Sequence, residues 1–157
     1  MRLDPRPAAN LRIAEFEPQH GRTLVEMWRA SFEHGVGVKD PHPIDEQLAY
    51  FHAKVLPCNR VRLAWQGETL VGFVASNRES VAQLYVRVDR HRQGIGSRLL
   101  DLAKSDSAAS LWLFTFQQNQ IARRFYERQS FVAVEFGFEP TWQLADVKYR
   151  WVAGDRE

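Results

Sequence analysis

A chain of 157 residues, of which 45% are apolar and 12% aromatic, has enough hydrophobic material for one buried core and is close to the usual size of a single domain. Lys and Arg together number 21, and Asp and Glu together number 19. This net charge of +2 is too small to favour a protein that binds nucleic acids or membrane surfaces. We therefore expect one domain over residues 1–157 that binds neither nucleic acid nor membrane, with residues 1–10 as a flexible lead.

Cysteine usage and hydropathy narrow the class further. Cys58 is the only cysteine, so the chain has no internal disulfide and no cysteine-based metal site. It follows Pro57 in a predicted loop, and we interpret it as an incidental thiol rather than a nucleophile. No run approaches the roughly 18 consecutive apolar residues of a membrane helix. These features predict a cytoplasmic protein without a metal.

The first part of the chain predicts a strand, two helices and a long loop. Residues 11–15 alternate as a strand does, and Pro18 fits the first turn of a helix that runs to about Phe32. The segment 33–43 contains two glycines, two prolines and two histidines, which predicts a loop of a length that often carries function. Residues 44–56 then have the apolar spacing of a second helix.

The remaining segments alternate strands with helices. A tight turn at Gly67 predicts an antiparallel hairpin, whereas the strand, helix, strand, helix, strand order around 110–116 predicts parallel pairing in the middle of the sheet. The predicted fold is α/β (mixed α+β), with a central, mixed, twisted β-sheet flanked by helices on both faces. The predicted strands are 60–65, 70–76, 81–88, 110–116, 131–136 and 146–152, and the predicted helices are 95 to about 105–109 and 119–129.

A Gly-X-Gly turn, Gly94 to Gly96, follows the strand 81–88 and opens a helix. The first amides of a helix have no internal partner and can bind an anion, for which a pyrophosphate is the best candidate. The third glycine of the dinucleotide-binding pattern is missing because position 99 is Leu, and no Gly-Lys-Ser or Gly-Lys-Thr occurs, which disfavours dinucleotide and P-loop sites. Arginines surround the turn at positions 87, 90, 92 and 98. They could face a bound phosphate or form a solvated basic surface.

Two ordered motifs give this chain a family resemblance. The segment His91-Arg92-Gln93-Gly94-Ile95-Gly96 is similar to an Arg/Gln-X-X-Gly-X-Gly/Ala motif, with His91 at the leading position. Downstream, the spacing of Asn119, Ala122, Phe125, Tyr126 and Phe131 matches a second motif, with Ser130 in place of a glycine. Over residues 70–136 the chain resembles the acetyl-coenzyme A binding half of the GNAT N-acetyltransferase superfamily.

The resemblance implies a GNAT-like fold, acetyl-CoA as cosubstrate, no metal, and direct sequential transfer of an acetyl group to a primary amine of a small molecule or peptide. Tyr126 would be the general acid that protonates the coenzyme A sulfur, although it also fits a core aromatic. Asn119 fits a helix N-cap, a cofactor contact or both. The resemblance implies cofactor binding by Leu84, Tyr85, Val86, Arg92, Gln93, Gly94, Ile95, Gly96, Ser97, Asn119 and Tyr126.

The acceptor side is less defined. Glu79, just before a strand, is a candidate base or an exposed turn residue, and the position where some peptide-modifying members carry a glutamate is Phe114 here. The candidate residues for contact with the acceptor are Trp28, His34, His42 and Tyr50. Each of them could equally be a core residue or a solvated one. An alternative function is a noncatalytic acyl-CoA sensor or a protein-interaction module. The chain could act as a monomer or as a homodimer paired through a sheet edge near the last strand.

Overall fold

The computed structural model describes residues 10–154, so the lead expected at 1–10 lies, apart from Asn10, outside the described residues. The first four strands form an antiparallel sheet in the order β1-β2-β3-β4. Within 10–154 no helix is long and apolar enough to cross a membrane. The elements of this first half are β1 (Leu11–Glu15), α1 (Gly21–Val36), α2 (Ile44–Tyr50), β2 (Arg60–Gln66), β3 (Thr69–Ser76) and β4 (Val81–Val86).

A second antiparallel sheet, of order β5-β7-β6, follows in the chain. Helices lie on both faces of this mixed α/β architecture, which confirms the predicted fold class. The elements of this half are α3 (Ile95–Asp106), β5 (Ser110–Phe116), α4 (Gln120–Arg128), β6 (Val132–Glu139) and β7 (Leu144–Val152).

The two sheets meet where β4 lies beside β5. A parallel bridge joins Ser80 to Trp112, and the Trp112 amide donates to the Glu79 carbonyl at 3.0 Å. Parallel pairing was predicted along the middle of the sheet, but among the described residues it is limited to this bridge because the strands then diverge. β5 is therefore an edge of the second sheet rather than a strand in the middle of one sheet, and Phe114 on it is 54% exposed. The divergence opens a crevice between β4 and β5.

Several predicted boundaries are shifted by one to four residues, and three of these differences have a clear local cause. α1 continues past Phe32 because Val36 is still buried, and it ends at Gly37, whose φ is 85° and whose amide donates to the Glu33 carbonyl at 2.9 Å. The loop therefore spans 37–43. The second helix leaves α-geometry at Phe51 for a π-turn and a 3-10 turn, and β4 ends two residues early because residues 88–90 form a 3-10 turn.

Apolar side chains form two clusters, one on each face of the first sheet. One cluster packs under α1 and the other under α3, α4 and the second sheet. Gly72 in β3 allows α3 to approach, since a Cβ there would lie 3.2 Å from both Ile95 Cγ2 and Leu99 Cδ1. This close packing fixes the start of α3 beside the end of β4.

Candidate active site

The turn between β4 and α3 presents free backbone amides. Arg92 and Gly94 adopt left-handed conformations, with φ of 67° and 80°. The first hydrogen bond back to the helix start runs from the Arg98 amide to the Gly94 carbonyl at 3.0 Å. The amides of residues 95–97 therefore have no partner within the helix, and the helix dipole makes this end attractive to an anion.

The first turn of α3 touches α4 at Gly96. A Cβ on Gly96 would lie 3.2 and 3.3 Å from two ring atoms of Phe125, and 3.5 Å from Val86 Cγ2. Glycine therefore keeps these free amides beside α4 and the end of β4.

The open edge of β4 continues the site. The Arg87 amide donates to the Val71 carbonyl in β3 at 2.8 Å. Because successive backbone groups of a strand point to opposite sides, the amides and carbonyls of Leu84 and Val86 point away from β3, toward the crevice. A bound chain of amide groups can pair with this edge as another strand would.

Asn119 closes the other side of the crevice at the start of α4. Its side-chain oxygen accepts a hydrogen bond from the Ala122 amide at 3.1 Å, so it caps the helix. The residue is 9% exposed, and a Cβ on Gly35 of α1 would lie 2.8 Å from its Nδ2 atom. A larger residue at position 35 would therefore push the Asn119 amide out of this place.

Tyr126 lies on the inner face of α4 and is 7% exposed. Burial, with a smaller effect from the neighbouring Tyr85, raises the pKa of Tyr126 well above the usual value for a phenol. Burial also raises the pKa of Tyr85 to about 12. Both phenols are therefore neutral at physiological pH, and each retains a proton to donate.

These groups line one continuous groove. A cavity of about 530 Å³ runs from the Gly94-Ile95-Gly96 turn along the edge of β4 to Asn119 and Tyr126. A smaller cavity of about 50 Å³ occupies the crevice between β4 and β5, and Asn119 and Tyr126 line both. The larger volume falls within the roughly 300–1,000 Å³ of ligand sites.

Arginines give the wide end of the groove a positive charge. Arg92, Arg124 and Arg128 line it and are exposed, and no carboxylate of residues 10–154 lies within ion-pair distance of them. Arg90 also lines the groove, but it pairs with Asp89 at 3.0 Å. Free guanidinium groups beside free amides suit a ligand with several phosphates.

The structure brings most of the predicted cofactor residues together. The groove lining includes Leu84, Tyr85, Val86, Arg92, Gly94, Ile95, Gly96, Ser97, Asn119 and Tyr126. Gln93 lies outside it, since its side chain accepts a hydrogen bond from Gln66 Nε2 at 3.1 Å.

The predicted acceptor residues are dispersed. Trp28 is a core residue that stacks on Tyr85 with ring centroids 6.0 Å apart, and Tyr50 is 52% exposed on α2. His34 lines the wide groove beside the predicted cofactor residues. His42 Nδ1 lies 2.7 Å from Asp40 Oδ1, outside both cavities. Glu79 is exposed in the turn before β4 and also lies outside both cavities.

Sequence reasoning missed several lining residues. Ser31 reaches the groove from the inner face of α1, and Gln83 and Thr115 line the crevice from β4 and β5. Their positions depend on how α1 packs and how the two strands diverge, which no local pattern reveals. The spacing of Arg124 and Arg128, four residues apart on one helix face, was the one available signal.

Comparisons with known proteins agree with this geometry. The sequence pattern of the acetyltransferase (GNAT) family matches residues 22–131. Among solved structures, apo YjaB from Escherichia coli is 19% identical with a TM-score of 0.75, over 92% of this chain and 99% of that chain. PaiA N-acetyltransferase from Thermoplasma acidophilum in complex with coenzyme A is 17% identical with a TM-score of 0.68, over 90% and 99%. YncA from Salmonella typhimurium with its cofactor acetyl-CoA is 15% identical with a TM-score of 0.67, over 94% and 96%.

At these identities the solved structures establish the fold. No curated protein sequence matches the chain closely enough to count as a relative.

Proposed function

The chain belongs to the acetyltransferase (GNAT) family of acyltransferases, and on this premise we propose that it transfers an acetyl group from acetyl-CoA directly to a primary amine. The observation that carries the proposal is the continuity of one groove, from free amides at the start of α3 to the buried hydroxyl of Tyr126. Residues 1–157 would form one catalytic domain, and the acceptor would be a small molecule or a peptide.

The groove fits the cosubstrate in its charge and its hydrogen-bonding groups. The amides of 92–97, with Arg92, would hold the pyrophosphate. The free edge of Leu84 and Val86 would pair with the amide-containing pantetheine arm, as strands pair in a sheet. When bound, acetyl-CoA supplies a thioester, which is an activated acyl donor.

Tyr126 would hold the proton that the leaving sulfur takes up. An ordinary phenol has a pKa of about 10 and a thiol about 8.5, so proton transfer from Tyr126 Oη is uphill in water. The burial that raises the pKa of Tyr126 would also raise that of a thiol held in the same crevice, which offsets the added cost of taking a proton from a buried phenol. A fixed hydroxyl in a water-poor crevice also stabilises negative charge as it develops on sulfur.

The amine would reach the crevice from the side of Gln83 and Thr115. Both are neutral polar residues of the crevice, and neither is a strong base. An ammonium ion must lose a proton before attack, and the exposed Glu79 would do this only through water. We therefore propose a relay of water rather than direct contact with a carboxylate.

The proposal is tested by incubating the protein with acetyl-CoA and amines, and measuring free thiol and the mass of each product. The panel consists of amino acids, polyamines, aminoglycosides and peptides with free N-termini. The expected result is acetylation of at least one amine, at a rate that falls about a hundredfold in Tyr126→Phe. Coenzyme A binding without acetylation of any amine would favour a noncatalytic sensor, and absence of coenzyme A binding would overturn both functions.

A further inference from the structure

A buried serine of α1 holds the last peptide of β4. Ser31 is 8% exposed, and its Oγ atom donates to the carbonyl oxygen of Val86 at 2.7 Å. The same peptide group contains the Arg87 amide, which donates to the Val71 carbonyl at 2.8 Å. Because a peptide group is planar, hydrogen bonds on both its ends fix its orientation.

A second side chain, in the turn between β4 and α3, reaches the same carbonyl. His91 Nε2 lies 3.2 Å from the Val86 oxygen. This carbonyl is therefore already engaged by α1 and by the turn. The backbone groups left free on the edge of β4 are then the amide and carbonyl of Leu84 and the amide of Val86.

α1 also contacts the opposite wall of the groove. One turn after Ser31, Gly35 packs against Asn119 so closely that a Cβ at position 35 would force the Asn119 amide to move. The inner face of one helix thus touches the end of β4 on one side and the start of α4 on the other. Its position sets the width of the groove between them.

We propose that Ser31 is a positioning residue for the cosubstrate. Its hydroxyl fixes the Val86 peptide, and thereby aligns the free edge of β4 with the amides at the start of α3. This inference rests on the proposed function, because the ligand it positions is coenzyme A. Ser31 would act through Val86 rather than on the reacting atoms, so it should affect binding of acetyl-CoA more than turnover.

The test compares Ser31→Thr with Ser31→Val, which have nearly equal volume and differ by a hydroxyl. We expect Ser31→Val to raise the Kd for coenzyme A and the KM for acetyl-CoA about five- to tenfold relative to Ser31→Thr, with kcat within about twofold. Hydrogen exchange at the amides of 86–97 should be faster in Ser31→Val only. A general loss of stability would not confine faster exchange to this segment.

Ser76→Ala is the matched control. Ser76 is 1% exposed, and its hydroxyl has no hydrogen-bond partner among the described residues, so its loss should leave coenzyme A affinity unchanged. Equal affinity in folded Ser31→Thr and Ser31→Val would overturn the inference, as would an equal loss in Ser76→Ala. Failure of the unsubstituted protein to bind coenzyme A would instead refute the proposed function.

Discussion

Gly96 gives the sharpest test of the cofactor site. A methyl group at this position would lie 3.2 Å from Phe125 Cζ, whereas carbon atoms pack best at about 3.5–4.0 Å. The Phe125 ring must therefore move by a few tenths of an ångström for Gly96→Ala, and further for Gly96→Val. The expected conflict is with this ring of the groove wall, rather than only with the approach of a phosphate to the backbone.

The size of the effect follows from two opposed terms. Replacing a helical glycine by alanine gains up to about 1 kcal/mol, and overpacking costs about 1–3 kcal/mol. Gly96→Ala should therefore change the free energy of unfolding by no more than about 2 kcal/mol. A Phe125 ring displaced into the groove should raise the Kd for coenzyme A about tenfold in Gly96→Ala and about a hundredfold in Gly96→Val. These changes correspond to about 1.4 and 2.8 kcal/mol of binding free energy.

The assay is calorimetric titration with coenzyme A beside thermal unfolding. Gly21→Ala, at the start of α1, is the control. Its Cβ would lie 3.0 Å from Leu48 Cδ1, so the substitution causes crowding of a similar degree at a place outside the groove. Unchanged coenzyme A affinity in a folded Gly96→Val would refute the assignment of this turn to the pyrophosphate.

Three further predictions concern turnover, pH and acceptor choice. Tyr126→Phe should lower kcat about a hundredfold with little change in coenzyme A affinity. Because burial raises the pKa of Tyr126, its ionisation should not lower the kcat of the unsubstituted protein at any pH up to about 10. Burial and the nearby carboxylates of Glu139 and Glu135 raise the pKa of Asp146. The folded protein therefore holds the proton of this carboxyl group more tightly than the unfolded chain does, and the ionised form of Asp146 lowers the free energy of unfolding. Asp146→Asn should then raise Tm at pH 7, and the gain should disappear as the pH falls below about 4. His42→Ala and Tyr50→Ala should change only the acceptor KM, whereas His34→Ala should alter coenzyme A affinity; the same affinity change in all three would contradict this division.

The sequence predicted the elements whose signals are local. The strands β1 and β5 begin and end at the predicted residues, because β1 alternates over its whole length and the apolar run of β5 gives way directly to Gln117 and Gln118. The end of α1 was misplaced because Gly35 was interpreted as a helix breaker. That glycine serves a long-range contact with Asn119, and only the folded chain shows that a side chain there would displace the Asn119 amide.

The candidate site divides in the same way. The free amides of residues 95–97 were predictable because strand, turn and helix follow one another directly in the chain. The crevice was not, because it results from the divergence of β4 and β5, and residue order predicts parallel neighbours without indicating where they separate. Gln83 and Thr115 are consequently invisible as site residues until both strands are placed.

The packing of α1 also changes where acceptor specificity is best sought. A division into a cofactor half and an acceptor half would assign all of residues 28–56 to the acceptor, yet Ser31 and Gly35 line the groove proposed for coenzyme A. The loop 37–43 instead turns toward the segment between β6 and β7, where the His42 ring lies 6.0 Å from that of Trp142. Substitutions on the inner face of α1 should therefore change coenzyme A affinity, whereas those at the contact of His42 with Trp142 should leave it intact. Substitutions of His42 and Trp142 are accordingly the first to make when the selectivity among amines is to be changed.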